Sequence, residues 1–148
     1  MKELQKFDPV MTIGTVAKKL GICVQTLHLY ESEGLILPSR TDTGRRMFSQ
    51  HDLNRLICIR EMIKTKGLNL QGIKRLMSLI PCWEFKGGLD EECQNCPAYS
   101  EALSPCWSLP NVGSKCHSQN CRECIVYQTE FNCNKMKEII YHNRVSKL

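Results

Sequence analysis

The sequence predicts a mainly α-helical protein: a winged helix-turn-helix of four helices with a small β-hairpin wing, followed by a loop-rich, metal-stabilised cysteine module and a short C-terminal helix. Three observations predict this architecture. Apolar residues recur at helical spacing in the first 80 residues. An arginine-rich turn interrupts that pattern after the second helix. Eight of the ten cysteines lie between Cys82 and Cys133. We therefore divide the chain into residues 10–80, 81–128 and 129–148.

Residues 12–20 and 24–33 are expected to form two short helices. The first has an apolar face with i, i+3, i+4, i+7 spacing, made by Ile13, Val16, Ala17 and Leu20. Gly21 ends the first helix and Gly34 ends the second. Two short helices joined by a tight glycine turn are a helix-turn-helix candidate, although any helical hairpin has the same pattern.

The segment after Gly34 predicts a small hairpin. Two short extended pieces flank a polar turn that contains Asp42 and Gly44. Arg40, Arg45 and Arg46 lie on or beside its tip. A hairpin with this charge, placed after a helix-turn-helix, favours a wing whose arginines contact phosphates.

Two further helices complete the predicted DNA-binding part. Ser49 and Asp52 form a capping-box pattern at the start of the third helix, which Gly67 ends. Asn69 can cap the fourth, and Pro81 stops it. Both helices are expected to be a packing platform for the first two, with His51 solvated in the first turn of the third. Residues 129–145 have apolar spacing that predicts the C-terminal helix.

Charge is distributed unevenly along the chain. Residues 1–80 carry 13 Lys and Arg against 7 Asp and Glu, whereas residues 81–148 carry 7 against 8. A basic first half favours a polyanionic partner. We see no signal-peptide pattern and no apolar run near the ~18–20 residues of a membrane span, so a cytoplasmic protein without a membrane partner is expected. In the cytosol, clustered cysteines more often bind metal or sense redox state than form disulfides.

The cysteine spacing predicts a metal centre. Cys93-x2-Cys96 and Cys121-x2-Cys124 are two chelating pairs, and together they can give a tetrahedral S4 site for zinc or an iron–sulfur cluster. Second-rank ligands are Cys82, Cys106 and Cys116. The surplus over one S4 site slightly favours an iron–sulfur cluster, but zinc stays open.

The cysteines beyond one S4 site leave two arrangements open. They form either a second centre, completed by His117 or Cys133, or a redox-active pair. Cys23 and Cys58 are interpreted as packing or cap residues, because free cysteine behaves as a small hydrophobe. Four aromatic residues are expected to form an apolar shell around the centre: Trp83, Tyr99, Trp107 and Tyr127.

Residues 12–80 resemble the MerR family of bacterial winged helix-turn-helix regulators. The resemblance rests on residues 12–17, 25–31, 34–36, 44–49 and 51–53, and residues 67–76 are most similar to the heat-shock-repressor branch. It implies a homodimer on double-stranded promoter DNA, with RNA polymerase as a partner. By position it implies that DNA is contacted by Thr15, Gln25, Thr26, His28, Tyr30, Arg40, Arg45 and Arg46.

The sequence departs from the MerR pattern in two respects. Cys23, His28 and Leu29 stand where relatives usually have other residues, so base preference should differ. The long dimerisation helix that usually follows the fourth helix is replaced by Pro81 and the cysteine region. Dimerisation is therefore expected to use residues 129–145, the cysteine region, or both.

Residues 81–128 resemble the two-CW module of bacterial proteins. The resemblance rests on Cys82-Trp83, Cys96-Pro97, Pro105-Cys106-Trp107 and residues 121–127. A cysteine that relatives often carry after the first Cys-Trp is replaced near Gly87-Gly88. The resemblance implies no particular ligand set.

Together these patterns predict a sequence-specific transcriptional regulator whose promoter binding or distortion is controlled by the metal or iron–sulfur centre. Two alternatives remain at this stage. One is a redox or electron-transfer protein that docks through its N-terminal domain. The other is a DNA-architectural or excision factor with structural zinc. The sequence has no nucleophile–base set, phosphate loop or paired carboxylates, so an enzyme is not predicted.

Overall fold

The computed structural model describes residues 5–101, 103–113, 116, 120–129 and 133–141. Its first 80 residues form the predicted four helices and small antiparallel sheet. In chain order these elements are β1 (Met11–Thr12), α1 (Ile13–Leu20), α2 (Val24–Ser32), β2 (Ser39–Arg40), β3 (Arg46–Phe48), α3 (Gln50–Lys64) and α4 (Leu70–Ser78). The prediction of a mainly helical winged helix-turn-helix is confirmed.

The helices begin and end at residues whose chemistry requires it. Thr12 accepts a hydrogen bond from the Thr15 backbone N–H at 3.3 Å and so caps α1. Gly21 ends that helix in the left-handed conformation, at φ 65°, where a Cβ would be strained. Ser49 and Asp52 form a reciprocal capping box at the start of α3. The predicted glycine end of α1 and the predicted capping box of α3 are therefore confirmed, whereas the Thr12 cap was not predicted.

The sheet has three strands in the order β1-β3-β2, all antiparallel. Met11 lies opposite Phe48, and Ser39 lies opposite Met47. The hairpin β2–β3 was predicted, but β1 was not, because a strand of two residues has no alternation to reveal it. β1 connects the start of α1 to the wing through its pairing with β3.

The hydrophobic core of the winged part continues into the cysteine region. Leu56, Ile59 and Met62 of α3 are at its centre, with exposures of 0–1%. The same cluster includes Trp107, Val126, Tyr127 and Ile139. Burial of each such side chain stabilises the fold by about 1.5–3 kcal/mol. The cysteine region is thus packed on the N-terminal part rather than attached by a free linker.

The cysteine region contains more helix than its sequence predicts. Short α-helices α5–α8 occupy Cys82–Phe85, Glu91–Asn95, Pro97–Ser100 and Ile125–Gln128, and single 3₁₀ turns occupy Cys106–Ser108 and Cys121–Glu123. Each is one turn or little more, too short to show a hydrophobic period. Such helices are not stable alone and depend on packing.

The C-terminal helix, α9, spans Met136–Ile140. The prediction of helix across 129–145 was too long, because Cys133 and Asn134 form a turn. Residues 130–132 and 142–148 lie outside the described residues, and so do the predicted helical residues Phe131 and Val145.

Three single-residue expectations have mixed outcomes. Cys58 is 5% exposed, so its assignment as a packing residue is confirmed. Cys23 is the N-cap of α2, which confirms its interpretation as a cap residue, but it is exposed and does not pack in the core. The prediction that His51 is solvated is wrong, because it is only 5% exposed. Its Nε2 lies 3.1 Å from the carbonyl oxygen of Gln128, and the chain after the cysteine pairs covers it.

Candidate functional site

The second helix of the helix-turn-helix presents a polar face. Gln25 and His28 are exposed, and Thr26 is half-buried near the N-terminus of α2. Thr26 also contacts the N-cap, with its Oγ1 3.2 Å from Cys23 Sγ, and this hydrogen bond lowers the pKa of the exposed thiol. Tyr30, by contrast, is 3% exposed, which leaves little of its ring for the phosphate contact implied by resemblance.

Glu31 joins α2 to the wing. Its carboxylate accepts from Arg46 Nε at 2.5 Å and from Arg40 Nη2 at 3.1 Å. His28 Nδ1 lies 4.0 Å from the same carboxylate. Two of the three wing arginines are therefore held by one acid of the helix they flank. This network fixes the spacing between the polar face of α2 and the wing.

The wing tip is exposed from Thr41 to Arg45. Gly44, at φ 83°, makes the turn, and Arg40 Nη1 donates to its carbonyl oxygen at 3.1 Å. Arg45 is exposed at this tip, and Thr15 is exposed in the first turn of α1. Apart from Tyr30, the predicted DNA contacts are thus at least partly exposed residues of α1, α2 and the wing.

A first cavity lies among the early cysteines. Four cysteines line it: Cys82, Cys93, Cys96 and Cys116. Trp83 and Tyr99 line it too, and their rings meet edge to face at a centroid distance of 5.3 Å. Lys86 and Glu92 contribute the charged side chains of the lining.

A second cavity lies among the late cysteines. It is lined by Cys106, Cys116, Cys121 and Cys124, with Trp107, Val112, Val126 and Tyr127. Cys116 therefore lines both cavities. The two predicted chelating pairs are each held close by a short turn, but they line different cavities. The four aromatic residues expected as an apolar shell are divided between the same two cavities.

Cys133 does not line either of these cavities. Cys133 belongs to the turn before α9, where its N–H donates to Cys58 Sγ at 2.8 Å and its thiol lies 3.3 Å from Glu61 Oε2. His117 lies outside the described residues. In the described ranges, no three His, Cys, Asp or Glu side chains are grouped tightly enough to hold an ion as they stand. Metal binding would require the cysteine side chains to turn inward.

The environment of Cys82, Cys106, Cys116 and Cys121 raises the pKa of these thiols and favours their protonated form. Burial raises the pKa of Cys82 to about 11, and the nearby thiols of Cys116, Cys96 and Cys93 add to the effect. Burial also raises the pKa of Cys106, the more strongly buried of the two. Lys86 acts in the opposite direction on Cys116, although burial still raises the pKa of that thiol overall. A soft cation would reverse this preference, because thiolates are the metal ligands.

One chelating pair is connected directly to the winged part. Arg122, between Cys121 and Cys124, forms a bidentate ion pair with Asp52, at 2.6 Å and 3.1 Å. It also donates to the carbonyl oxygen of Leu37, just before the wing. Asp52 is 1% exposed and caps α3. The same carboxylate thus serves the helix cap and the cysteine turn.

A second set of contacts reaches the turn after α2. Trp107 Nε1 donates to the carbonyl oxygen of Gly34 at 2.7 Å. Gly34 has φ 73°, and a Cβ placed there would lie 2.7 Å from Ser108 Cβ, so glycine is required on two grounds. Tyr127 accepts from the Leu37 N–H at 2.8 Å. The cysteine region therefore forms hydrogen bonds with both ends of the segment that leads from α2 into the wing.

Arg55 is the central cation of this contact. It is 2% exposed, donates to the Tyr127 carbonyl oxygen at 2.5 Å and stacks on two rings. Its guanidinium carbon is 4.1 Å from the Tyr127 ring centroid and 5.1 Å from that of Trp107. Neither Arg55 nor Arg122 was predicted from the sequence to make these contacts. The signal available for Arg55 was its position on the apolar face of α3, between Leu56 and the capping residues.

A family model for MerR helix-turn-helix regulatory proteins matches residues 11–80. Residues 11–80 are therefore similar to a MerR-family helix-turn-helix domain. Curated relatives match this MerR-type domain over similar lengths. The HTH-type transcriptional regulator GlnR of Bacillus anthracis is 34% identical over 77 residues, which is 52% of this chain and 59% of that protein.

Two further relatives match this chain over similar lengths. The putative heat shock protein HspR of Streptomyces coelicolor is 36% identical over 77 residues, 52% of this chain and 51% of its own length. The mercuric resistance operon regulatory protein of Bacillus cereus is 39% identical over 75 residues, 50% and 56% respectively. The chain thus spans between half and three-fifths of these relatives. GlnR and the mercuric resistance protein are named as regulators, and the HspR match agrees with the resemblance to the heat-shock-repressor branch.

The family model ends at residue 80, so it does not cover the cysteine region. Its resemblance to the two-CW module stays a prediction. Among the helices that the structure describes, none is long and apolar enough to cross a membrane.

Proposed function

We propose that the chain is a sequence-specific DNA-binding transcriptional regulator whose promoter binding is controlled by a metal or iron–sulfur centre in its cysteine region. The observation that carries this proposal is the ion pair between Arg122 and the buried Asp52. Arg122 lies inside the Cys121-x2-Cys124 turn, so a metal that closes this turn fixes the position of the guanidinium. Asp52 begins α3, directly after the wing.

The DNA side of the proposal rests on charge and exposure. Gln25, Thr26 and His28 of α2 enter the major groove, where glutamine can pair bidentately with adenine. Arg40, Arg45 and Arg46 of the wing contact phosphates, together with Thr15 and the Tyr30 hydroxyl. Without metal, the cysteine turn would release Arg122 from Asp52 and from the Leu37 carbonyl oxygen. The segment that leads into the wing would then lose these contacts with the cysteine region.

The partners follow from the proposed function. Double-stranded promoter DNA is the ligand, bound by a homodimer at a pseudo-palindromic site, and RNA polymerase acts at the same promoter in the cytoplasm. The name of the mercuric resistance relative refers to a metal, which supports metal as the class of signal. The dimer contact is assigned to the cysteine region and α9, because no long helix follows α4 among the described residues.

The test uses DNA selected from a random duplex pool by the reduced, metal-loaded chain. Its Kd is then measured by fluorescence anisotropy for the metal-loaded and the chelator-treated protein. Coupling between two sites is typically worth about 1–3 kcal/mol, so removal of the metal should change the Kd roughly 5–150-fold. A scrambled duplex should bind equally in both states.

Two results would contradict the proposal. Equal Kd values with and without metal, at unchanged selectivity, would leave a DNA-binding factor with a structural metal. Failure to enrich any sequence would leave a protein that uses its N-terminal domain for docking. The variant Arg122→Met should bind the selected DNA with the same Kd in both metal states, whereas Lys66→Met, on the exposed surface after α3, should behave as the unmodified chain.

A further inference from the structure

The cysteine region contains two sulfur-lined cavities rather than one. Each is lined by four cysteines, and Cys116 belongs to both sets. We propose that the region binds two tetrahedral divalent metal ions of the zinc type, bridged by the Cys116 thiolate. This proposal rests on the proposed metal control and specifies its centre.

The assignment of ligands follows from the cavity linings. The first ion has Cys82, Cys93 and Cys96 as its own ligands. The second has Cys106, Cys121 and Cys124. A third cavity, lined by both Cys82 and Cys106, separates α4 from the cysteine region, so these two cysteines meet at the boundary of the two sets. Among the described cysteines, Cys116 alone lines both the first and the second cavity.

The number of thiolates matches this arrangement. A tetrahedral zinc-type site takes four ligands, so two separate S4 sites would need eight cysteines. The cavities offer seven, which is the number required when one thiolate is shared. Two divalent ions and seven thiolates leave a net charge of about −3; of the two charged side chains that line the first cavity, Lys86 offsets part of this charge and Glu92 adds to it.

The donor set and the space favour single ions. Sulfur is the soft donor that zinc-type ions prefer at four-coordinate sites. The first cavity has a volume of about 30 Å³ and the second about 20 Å³. A volume of ~10–15 Å³ holds one water-sized sphere, so each cavity has room for a single ion. Each cysteine binds as a thiolate and releases its proton to solvent.

The first experiment counts ions. The full reduced chain is prepared metal-free, reconstituted anaerobically with Zn²⁺, and weighed by native mass spectrometry. We expect two ions per chain. Cys93→Ser and Cys121→Ser should each retain one tightly bound ion, since each removes a ligand of one site only. Cys23→Ser, a matched change on the exposed N-cap of α2, should retain both.

The second experiment tests the bridge. With ¹¹³Cd²⁺ in place of zinc, the β-protons of Cys116 should correlate with two cadmium resonances, and those of Cys93 and Cys121 with one each. Cys116→Ser should weaken both sites together, because serine is a poor bridge for soft ions. Loss of one ion only in Cys116→Ser would overturn the bridge.

The outcomes separate this inference from the proposed function. One ion per chain, held by Cys93, Cys96, Cys121 and Cys124, would overturn the two-ion centre while metal-dependent DNA binding persisted. A brown protein with iron and sulfide would overturn it in the same way. Two ions per chain with metal-independent DNA binding would support the centre and overturn the control of promoter binding.

Discussion

Replacement of Arg122 by Met tests how strongly the cysteine region is joined to the winged domain. The arginine is 17% exposed in its side chain and Asp52 only 1%, so the pair is largely removed from water. Methionine keeps much of the apolar stem but removes both bonds to the carboxylate, at 2.6 Å and 3.1 Å. Breaking a buried pair from one side leaves an uncompensated charge and costs about 3–5 kcal/mol.

The loss is measured as a change in the free energy of unfolding, from urea denaturation of the metal-loaded chain. Asp52→Asn is the second member of the cycle, because asparagine still accepts the Ser49 backbone N–H that caps α3 at 2.8 Å. Arg122→Met with Asp52→Asn removes the buried charge together with its partner. The double variant should therefore be less destabilised than the sum of the two single variants, by more than ~1 kcal/mol.

A surface pair gives the matched control. Lys135 and Glu138 are separated by 3.9 Å, with side chains more than 60% exposed. Lys135→Met should change the free energy of unfolding by no more than ~1 kcal/mol. If Arg122→Met costs as little, or if the Asp52 cycle is additive within ~0.5 kcal/mol, the buried pair does not hold the two parts together and the reasoning is wrong.

Three further changes give measurable outcomes. Arg45→Ala, at the exposed wing tip, should weaken binding to all duplex sequences alike by about 1–2 kcal/mol, roughly tenfold in Kd, by fluorescence anisotropy; an unchanged Kd would argue against a wing contact. Trp107→Phe removes the donor of a 2.7 Å hydrogen bond and should lower the free energy of unfolding by ~1–3 kcal/mol in urea denaturation, whereas a neutral result would show that the buried carbonyl finds another partner. Burial lowers the pKa of His51 below its usual 6.5, so the unfolded chain takes up a proton first and stability falls as pH drops below about 6.5. His51→Gln should therefore flatten this loss, by up to about 1.4 kcal/mol per pH unit in pH-dependent denaturation, and an unaltered slope would contradict the assignment.

The winged domain was predictable because its signals are local. Gly21 and Asn69 end or begin helices through their own backbone and side-chain chemistry, and Ser49 with Asp52 needs only a three-residue spacing. The strand β1 escaped prediction because its pairing with β3 joins residues far apart in sequence.

The contacts of the cysteine region were not predictable from spacing. Cys-x2-Cys identifies a chelating pair but does not say which second pair shares its cavity, and here Cys93 and Cys121 line different ones. Arg122 reads as a surface charge in the sequence, yet it pairs with an acid 70 residues away. His51 was misjudged for the same reason, since the chain that covers it at Gln128 comes much later.

The carboxylate of Glu31 has a consequence for how the wing would respond to salt. A phosphate normally displaces counterions from each arginine that it binds, and the affinity then falls by a slope of about 0.9 per contact in log salt. Arg40 and Arg46 already share Glu31 as an internal counterion. A phosphate that binds either arginine replaces Glu31 as its anionic partner. The Glu31 carboxylate must then be neutralised by another cation. The slope of log affinity against log salt should therefore be shallower than the number of arginine–phosphate contacts would give. Arg45 should account for most of the wing's contribution to this slope.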